Sequence, residues 1–346
     1  MIKPLPQDDL QFIYSKISST IEDLANKHIF ITGATGFIGS WLTEFLVFAV
    51  EKYQLNLSIS ILTRNKGKFS SSYPYLSTAT CLHVIEGDIR ELDIDLLDKS
   101  TDYIIHAATD TNASLNQNNP LLIADTIVQG TQNVLNLARN HSVTNILFLS
   151  SGAIYGKQPI DLQGFEEDYP SAPDCNNSLS SYGEAKRYAE LLCAIYNKQY
   201  GLPYVTARCF AFIGPRLPLD THFAIGNFLH NVLNNQDIII SGNGKSVRSY
   251  MYAADLIIWL LVILTKAKTA SVYNVGADQA YSIEELAQTI ISSTNTPIKY
   301  RILGKDSNSS VYTPNINKAI TRLGVNIYTD LQDAIIKTLQ CHQDYS

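Results

Sequence analysis

The stretch Thr32–Gly39, TGATGFIG, follows a short apolar run (HIFIT, 28–32) and opens a helical pattern from Phe37 to Lys52. Gly33, Gly36 and Gly39 recur at every third position. Glycine at such points lets a chain turn tightly out of a strand and lets its backbone approach a pyrophosphate, whose charge meets the helix N-terminus. Strand, glycine turn and helix in that order predict a dinucleotide-binding unit. Its cofactor contacts are expected at Gly33, Thr35, Gly36, Phe37, Ile38 and Gly39.

The alternation continues downstream. LSISILT (57–63), CLHVIEG (81–87), TDYIIHAA (101–108), TNILFLSS (144–151) and PYVTARCF (203–210) read as buried strands, with helices over 123–140 and 180–200. Strands alternating with helices imply a parallel sheet covered on both faces, a doubly wound, Rossmann-like α/β fold. After Gly214 the rhythm changes, and a smaller C-terminal α/β lobe that binds substrate is expected. The predicted division is a helical extension over 1–26, a dinucleotide-binding domain over 27–214, and residues 215–346 mainly in the second lobe, with the chain free to cross between lobes. In the extension, Leu10, Ile13, Ile17, Ile21 and Leu24 form one helical stripe that packs on the main domain or serves a partner. The Asn/Ser/Pro-rich stretch 156–180 is long for a loop, a length often tied to function.

A net charge of −6 with no basic tract excludes broad nucleic-acid binding. The most apolar run, LIIWLLVIL (256–264), is too short to span a bilayer and reads as a buried helix. No secretion signal is recognisable, and the five cysteines, Cys81, Cys175, Cys193, Cys209 and Cys341, include no Cys-x-x-Cys pair, as in a reducing cytoplasm. The seven histidines show no ligand spacing, so no metal is expected.

The segment YGEAK places Tyr182 and Lys186 four residues apart, on one face of a helix. An ammonium beside a phenol is expected to favour the phenolate and make Tyr182 a proton-transfer group, with the charge of a bound nicotinamide adding to the effect. At the end of the second strand stand Thr63, Arg64, Asn65 and Lys66 where a carboxylate would favour NAD. Arg64 can pair a 2′-phosphate, which leans toward NADP but leaves NAD open.

The glycine spacing and the Tyr-x-x-x-Lys pair together resemble the short-chain dehydrogenase/reductase superfamily. SSGAIYG (150–156), SSYGEAK (180–186), ARCFAFIGPR (207–216), GNGKSVRSYMYAADL (242–256) and YNVG (273–276) follow the order seen in its extended members, the nucleotide-sugar epimerase/dehydratase family. The resemblance spans Lys27 to Leu339 and implies an NAD(P)-dependent enzyme acting on a nucleoside-diphosphate sugar. It implies that Asp88 and Ile89 lie against the adenine, and that Ala107 and Ala108 line the ribose and diphosphate. Ser151 would hold the sugar 4-hydroxyl beside Tyr182, and Asn227 and Arg248 would hold the nucleotide and diphosphate. The stretch GPRLPLDTHFAIGNF (214–228) looks most like UDP-glucuronate decarboxylases. The family also implies a homodimer through a four-helix bundle of helices 123–140 and 181–200.

Within that family the two positions after the serine carry an acid and a base in 4,6-dehydratases, and typically Ser and Glu in the decarboxylases. Here they are Gly152 and Ala153, neither of which can transfer a proton. The first expectation is therefore 4-epimerisation by oxidation at C4 and return from the other face. An NADPH-dependent 4-keto sugar reductase is the first alternative. A dehydratase or decarboxylase would need acid/base groups from elsewhere, for which Glu166, Glu167 and Asp168 are candidates. A non-catalytic nucleotide-binding relative is disfavoured by the intact Ser151, Tyr182 and Lys186.

Overall fold

The computed structural model describes residues 1–93, 97, 101–109, 113–219, 223–294, 297–304 and 309–343. Seven strands make the main sheet: β1 (Lys27–Thr32), β2 (Leu57–Thr63), β3 (Leu82–Glu86), β4 (Tyr103–His106), β5 (Asn145–Ser151), β6 (Tyr204–Cys209) and β7 (Ser271–Val275). They lie in the order β7-β6-β5-β4-β1-β2-β3, and every pairing is parallel. The order reverses between β1 and β4, which opens a crevice at their carboxyl ends. Both TGATGFIG and the segment after His106 emerge there, so the topology brings the predicted cofactor segments together. The fold is the doubly wound α/β architecture read from the alternation of strands and helices.

The longer helices named below are α1 (Gln7–Glu22), α2 (Phe37–Tyr53), α3 (Pro120–Arg139), α4 (Ser181–Tyr200), α5 (Ala224–Leu233) and α6 (Ala253–Lys266), of which α2, α3, α4 and α6 pack on the main sheet. Shorter elements are given below by residue range. The run Leu256–Leu264 lies inside α6, and none of its residues is more than 7% exposed. Each such aliphatic side chain, removed from water, contributes roughly 1.5–3 kcal/mol. That burial accounts for an apolar run on every face of one helix.

The stripe of α1 is covered by α6 and joins the main core: Leu10, Ile13, Ile17, Ile21 and Leu24 are all buried. Asp9 is buried with them and accepts from the Tyr252 hydroxyl at 2.6 Å and the Lys337 ammonium at 2.7 Å. The helix thus satisfies its apolar face within its own chain, which removes the reason for reading it as an arm for a partner.

After Gly214 the chain does cross back. β7 closes the main sheet against β6, and α6 packs beneath β5 and β6. What remains apart is a set of small sheets. Val247–Ser249 pairs antiparallel with Ala280–Ser282 and parallel with Val311–Tyr312, and Ile238–Ile240 pairs with Tyr300–Ile302. The long stretch 156–180 is tied down by bridges from Gln158 to Val311 and from Phe165 to Pro314. Phe165 is buried and stacks on Tyr155 with ring centroids 4.4 Å apart. This satellite cluster roofs the carboxyl end of β5.

Candidate active site

The glycine turn is shaped by close backbone approach. Gly33 has φ +73°, and a β-carbon there would lie 2.5 Å from the backbone of Ala107 and 2.6 Å from Ala108 N. At Gly39 it would lie 2.1 Å from Gly33 O. Ala107 and Ala108 are thereby pressed against the turn, as the expected cofactor segments must be. At Gly36 the nearest atom would be 3.4 Å away, an ordinary contact, so packing within the protein does not demand that glycine. Gly36 is also the N-cap of α2 and offers no side-chain cap. The first N–H groups of α2 therefore face outward beside exposed Thr35 and Gly36, with Phe37 and Ile38 half-buried. Thr109, next after Ala108, has a buried hydroxyl with no hydrogen-bond partner among the described residues. A pyrophosphate fits this cradle: open space at Gly36, uncapped donors and a positive helix end.

Other expected cofactor residues divide. Asp88 accepts from Arg90 through N at 2.9 Å, Nε at 3.0 Å and Nη2 at 2.7 Å. The bonds from Arg90 hold its carboxyl down at about 2, with Arg64 a further positive neighbour. Ile89 turns inward against Gly130 and is 7% exposed. Arg64 is exposed at the end of β2. Beneath the turn lies a pairing that sequence reasoning missed. Buried His106 bonds Thr32 Oγ1 through Nδ1 at 2.8 Å and Thr131 Oγ1 through Nε2 at 3.1 Å. The same Thr32 oxygen accepts from Ala108 N at 3.2 Å, so the chain Thr32–His106–Thr131 locks β1, β4 and α3 together under the crevice.

Ser151 ends β5, and its Oγ accepts from Ala153 N at 3.1 Å. The phenols of Tyr182 and Tyr312 both lie beside this hydroxyl. Tyr182 stands in the first turn of α4 with Lys186 one turn on, and the helix places both at the end of β5. The electrostatics differ from the expectation. Burial pushes the Tyr182 phenol up to about 12, and only the neighbouring Ser151 hydroxyl opposes this. Burial also pulls Lys186 down to about 8. Lys186 is 1% exposed, and its ammonium donates to Leu149 O at 2.7 Å. A desolvated lysine already committed to a carbonyl leaves the phenol protonated.

Gly152 is filled from outside. A β-carbon there would lie 2.6 Å from Cζ of Phe210, and 2.7 Å from both Cε1 of Phe210 and the hydroxyl of Tyr312. A side chain at 152 would have to push the tips of these two rings aside, so aromatic side chains fill the space where the acid is absent. Two candidate acids of the long loop have partners of their own, and the third, Asp168, is exposed. Glu167 accepts from Asn274 N at 2.9 Å, and Glu166 from Asn315 Nδ2 at 3.4 Å. Nearby, Arg208 grips Glu190 through Nε and Nη2 and donates to Tyr155 Oη at 2.7 Å, a network invisible from spacing alone.

Arg248 sits half-buried on the strand 247–249, beside Tyr312 in register. Its guanidinium donates to Val247 O at 2.7 Å, Ser310 O at 3.0 Å and Ser310 Oγ at 2.9 Å. No carboxylate pairs with it among the described residues. Burial pulls its pKa down, as expected for a cation held only by dipoles. Asn227 is half-buried in the first turn of α5. Positions 220–222 of the stretch between Gly214 and Phe228 lie outside the described residues.

Comparison with known proteins agrees with this architecture. A relative named "Putative UDP-glucose 4-epimerase", from Methanocaldococcus jannaschii, is 30% identical over 269 residues, covering 76% of this chain and 81% of the relative. UDP-glucuronic acid decarboxylase 1 of Xenopus tropicalis is 27% identical over 314 residues, 90% of this chain and 71% of the relative. Among solved structures, a UDP-N-acetylglucosamine 4-epimerase from Methanobrevibacter ruminantium M1 superposes with a TM-score of 0.81 at 21% identity, covering 93% of this chain and all of that one, a likeness of fold. The family profile described as the NAD dependent epimerase/dehydratase family matches residues 29–276, and the chain belongs to that enzyme family.

Proposed function

We propose that the protein is a nucleoside-diphosphate-sugar 4-epimerase. The observation that carries this reading is the closed position at Gly152. Phe210 and Tyr312 fill the space that a side chain carrying an acid would take, while Ser151, Tyr182 and Lys186 remain assembled. A nicotinamide dinucleotide held at Gly33, Gly36 and Gly39 would supply the reversible two-electron chemistry, taking a hydride from sugar C4 and returning it. Tyr182 takes the 4-hydroxyl proton as C4 becomes a ketone, and gives it back when the ketone is reduced. Ser151 orients the reacting oxygen. Arg248 clamps the diphosphate, where a guanidinium can make two parallel charge-assisted bonds, and Asn227 holds the nucleotide. Turning the keto sugar between the two half-reactions inverts C4 and needs no further acid or base.

Removing the proton requires a phenolate, which the site holds back while burial governs Tyr182. A positively charged nicotinamide bound there would favour ionisation, so Tyr182 would lose its proton more readily with the oxidised cofactor bound. The exposed Arg64 supports NADP over NAD. A UDP-glucuronate decarboxylase is the second reading, favoured by relatives such as those of Xenopus tropicalis and Danio rerio, the latter 28% identical over 316 residues.

The same reading includes a homodimer through α3 and α4. Tyr188 is 49% and Leu191 is 52% exposed, one turn apart on α4, the helix that carries Tyr182 and Lys186. Five free thiols fit a reducing cytoplasm.

Incubation with UDP-, dTDP-, GDP- and CDP-sugars, followed by mass and NMR, tests the reaction. An isomer of unchanged mass supports epimerisation. Loss of about 44 mass units means decarboxylation and about 18 means dehydration, and either overturns it. Tyr182→Phe should lower turnover by roughly 10²–10⁴-fold with dinucleotide binding retained.

A further inference from the structure

We propose that Tyr312 is a positioning residue of the reacting centre, whose phenol donates to Ser151 and leaves Ser151 able only to donate toward the reacting oxygens. The inference rests on the reading of Tyr182 as the proton-transfer group. A serine hydroxyl has one proton and two acceptor lone pairs. Ala153 N–H occupies one lone pair at 3.1 Å. Two phenols, those of Tyr182 and Tyr312, lie beside the same oxygen, and the Tyr312 hydroxyl is 2.7 Å from where a β-carbon at 152 would stand. Once Tyr182 is ionised it has no proton to give, so only one arrangement satisfies every atom: Tyr312 donates to Ser151 and Ser151 donates to Tyr182. When a sugar hydroxyl enters, the Ser151 proton goes to that oxygen, and the sugar proton goes to Tyr182. In both cases Tyr312 fixes the direction.

Three features hold Tyr312 in place. Its strand lies in register with Arg248, whose guanidinium sits 5.8 Å from its ring centroid. Its ring packs on Phe210 with centroids 4.8 Å apart. Its hydroxyl occupies the space that a side chain at 152 would take. Burial also raises its pKa well above the ordinary tyrosine value, which keeps it a proton donor across the working range. The site therefore carries a hydroxyl from a strand some 160 residues away at the position its own turn leaves as glycine.

The test is the ionisation of Tyr182 in protein loaded with NAD⁺, followed by NMR of ¹³C-labelled tyrosine, with its signal assigned by Tyr182→Phe. The charged and titratable groups around the pair are Lys186 on α4, Cys209 at the end of β6, Arg248 on the adjoining strand and Tyr250 beyond it, all kept in the variants. Tyr312→Phe, which removes one oxygen, should raise the Tyr182 midpoint by about half a unit or more. Ser151→Ala should raise it at least as far, and Tyr312→Phe added to Ser151→Ala should move it no further. A midpoint unmoved by Tyr312→Phe, or one moved equally without Ser151, overturns the proposal. If the midpoints shift as stated while the wild type turns over no nucleoside-diphosphate sugar, the functional reading falls and the role of Tyr312 stands.

Discussion

The β-carbon that Gly152 lacks would lie 2.7 Å from the hydroxyl of Tyr312, with Phe210 closing the same space at 2.6 Å. An added side chain must displace one of two aromatic rings. Overpacking of this kind costs about 1–3 kcal/mol. Gly152→Ser should lower the thermal midpoint and cut turnover at least tenfold, because the ring it displaces also positions the hydroxyl on Ser151. Adding Phe210→Leu should recover part of the lost stability. A Gly152→Ser protein with wild-type midpoint and turnover would show that the position is open.

How far the sequence reveals this site depends on how local each part is. The turn at Gly33–Gly39 and the pair Tyr182/Lys186 are short patterns within one element, so spacing alone placed them on a strand end and on one helical face. The destination of the Lys186 ammonium, the Leu149 carbonyl, belongs to a neighbouring strand and could not be read from spacing. Gly152 read as a missing acid, because nothing adjacent in sequence reveals Phe210 or Tyr312. Tyr312 comes from a strand of only two residues, too short for any alternation to mark. The sequence leaves the chain free to cross between lobes but does not single out β7 as the strand that does so, since its partner β6 ends before the rhythm of the chain breaks.

Arg248 is a cation held by two carbonyls and a serine hydroxyl, with no carboxylate among the described residues. An arriving diphosphate would supply the missing anion. Arg248→Ala should weaken binding of UDP and dTDP by about 30-fold, which corresponds to roughly 2 kcal/mol for charge-assisted bonds. Arg248→Lys should restore only part of this, because an ammonium cannot make the planar double contact. Calorimetry on both nucleotides and on NAD⁺ checks the assignment, and an equal loss of dinucleotide affinity would refute it.

Arg64 is solvent-exposed and carries its charge near Asp88, which is itself held by Arg90. A free guanidinium at the end of β2 can meet a 2′-phosphate, whereas a carboxylate there accepts from the 2′-hydroxyl. Arg64→Asp should shift the ratio of NAD⁺ to NADP⁺ affinity at least tenfold toward NAD⁺. An unchanged ratio would mean that the arginine is merely solvated.

His106 makes the fold sensitive to acid. Burial, with the Lys186 charge adding to it, lowers its pKa from 6.5 to about 3. The unfolded chain therefore takes up a proton as pH drops below about 6.5, while the folded chain stays neutral until about 3. Stability from this group is complete above 6.5 and is lost as pH falls toward 3. At pH 5 the loss is about 2 kcal/mol, from roughly 1.4 kcal/mol per unit. His106→Asn keeps a side chain that can both donate and accept between Thr32 and Thr131, but it cannot be protonated in this range. Its thermal midpoint should be lower than wild type at pH 7, yet fall less steeply between pH 7 and pH 5. Parallel pH dependences in the two proteins would place the acid sensitivity elsewhere and overturn its assignment to His106.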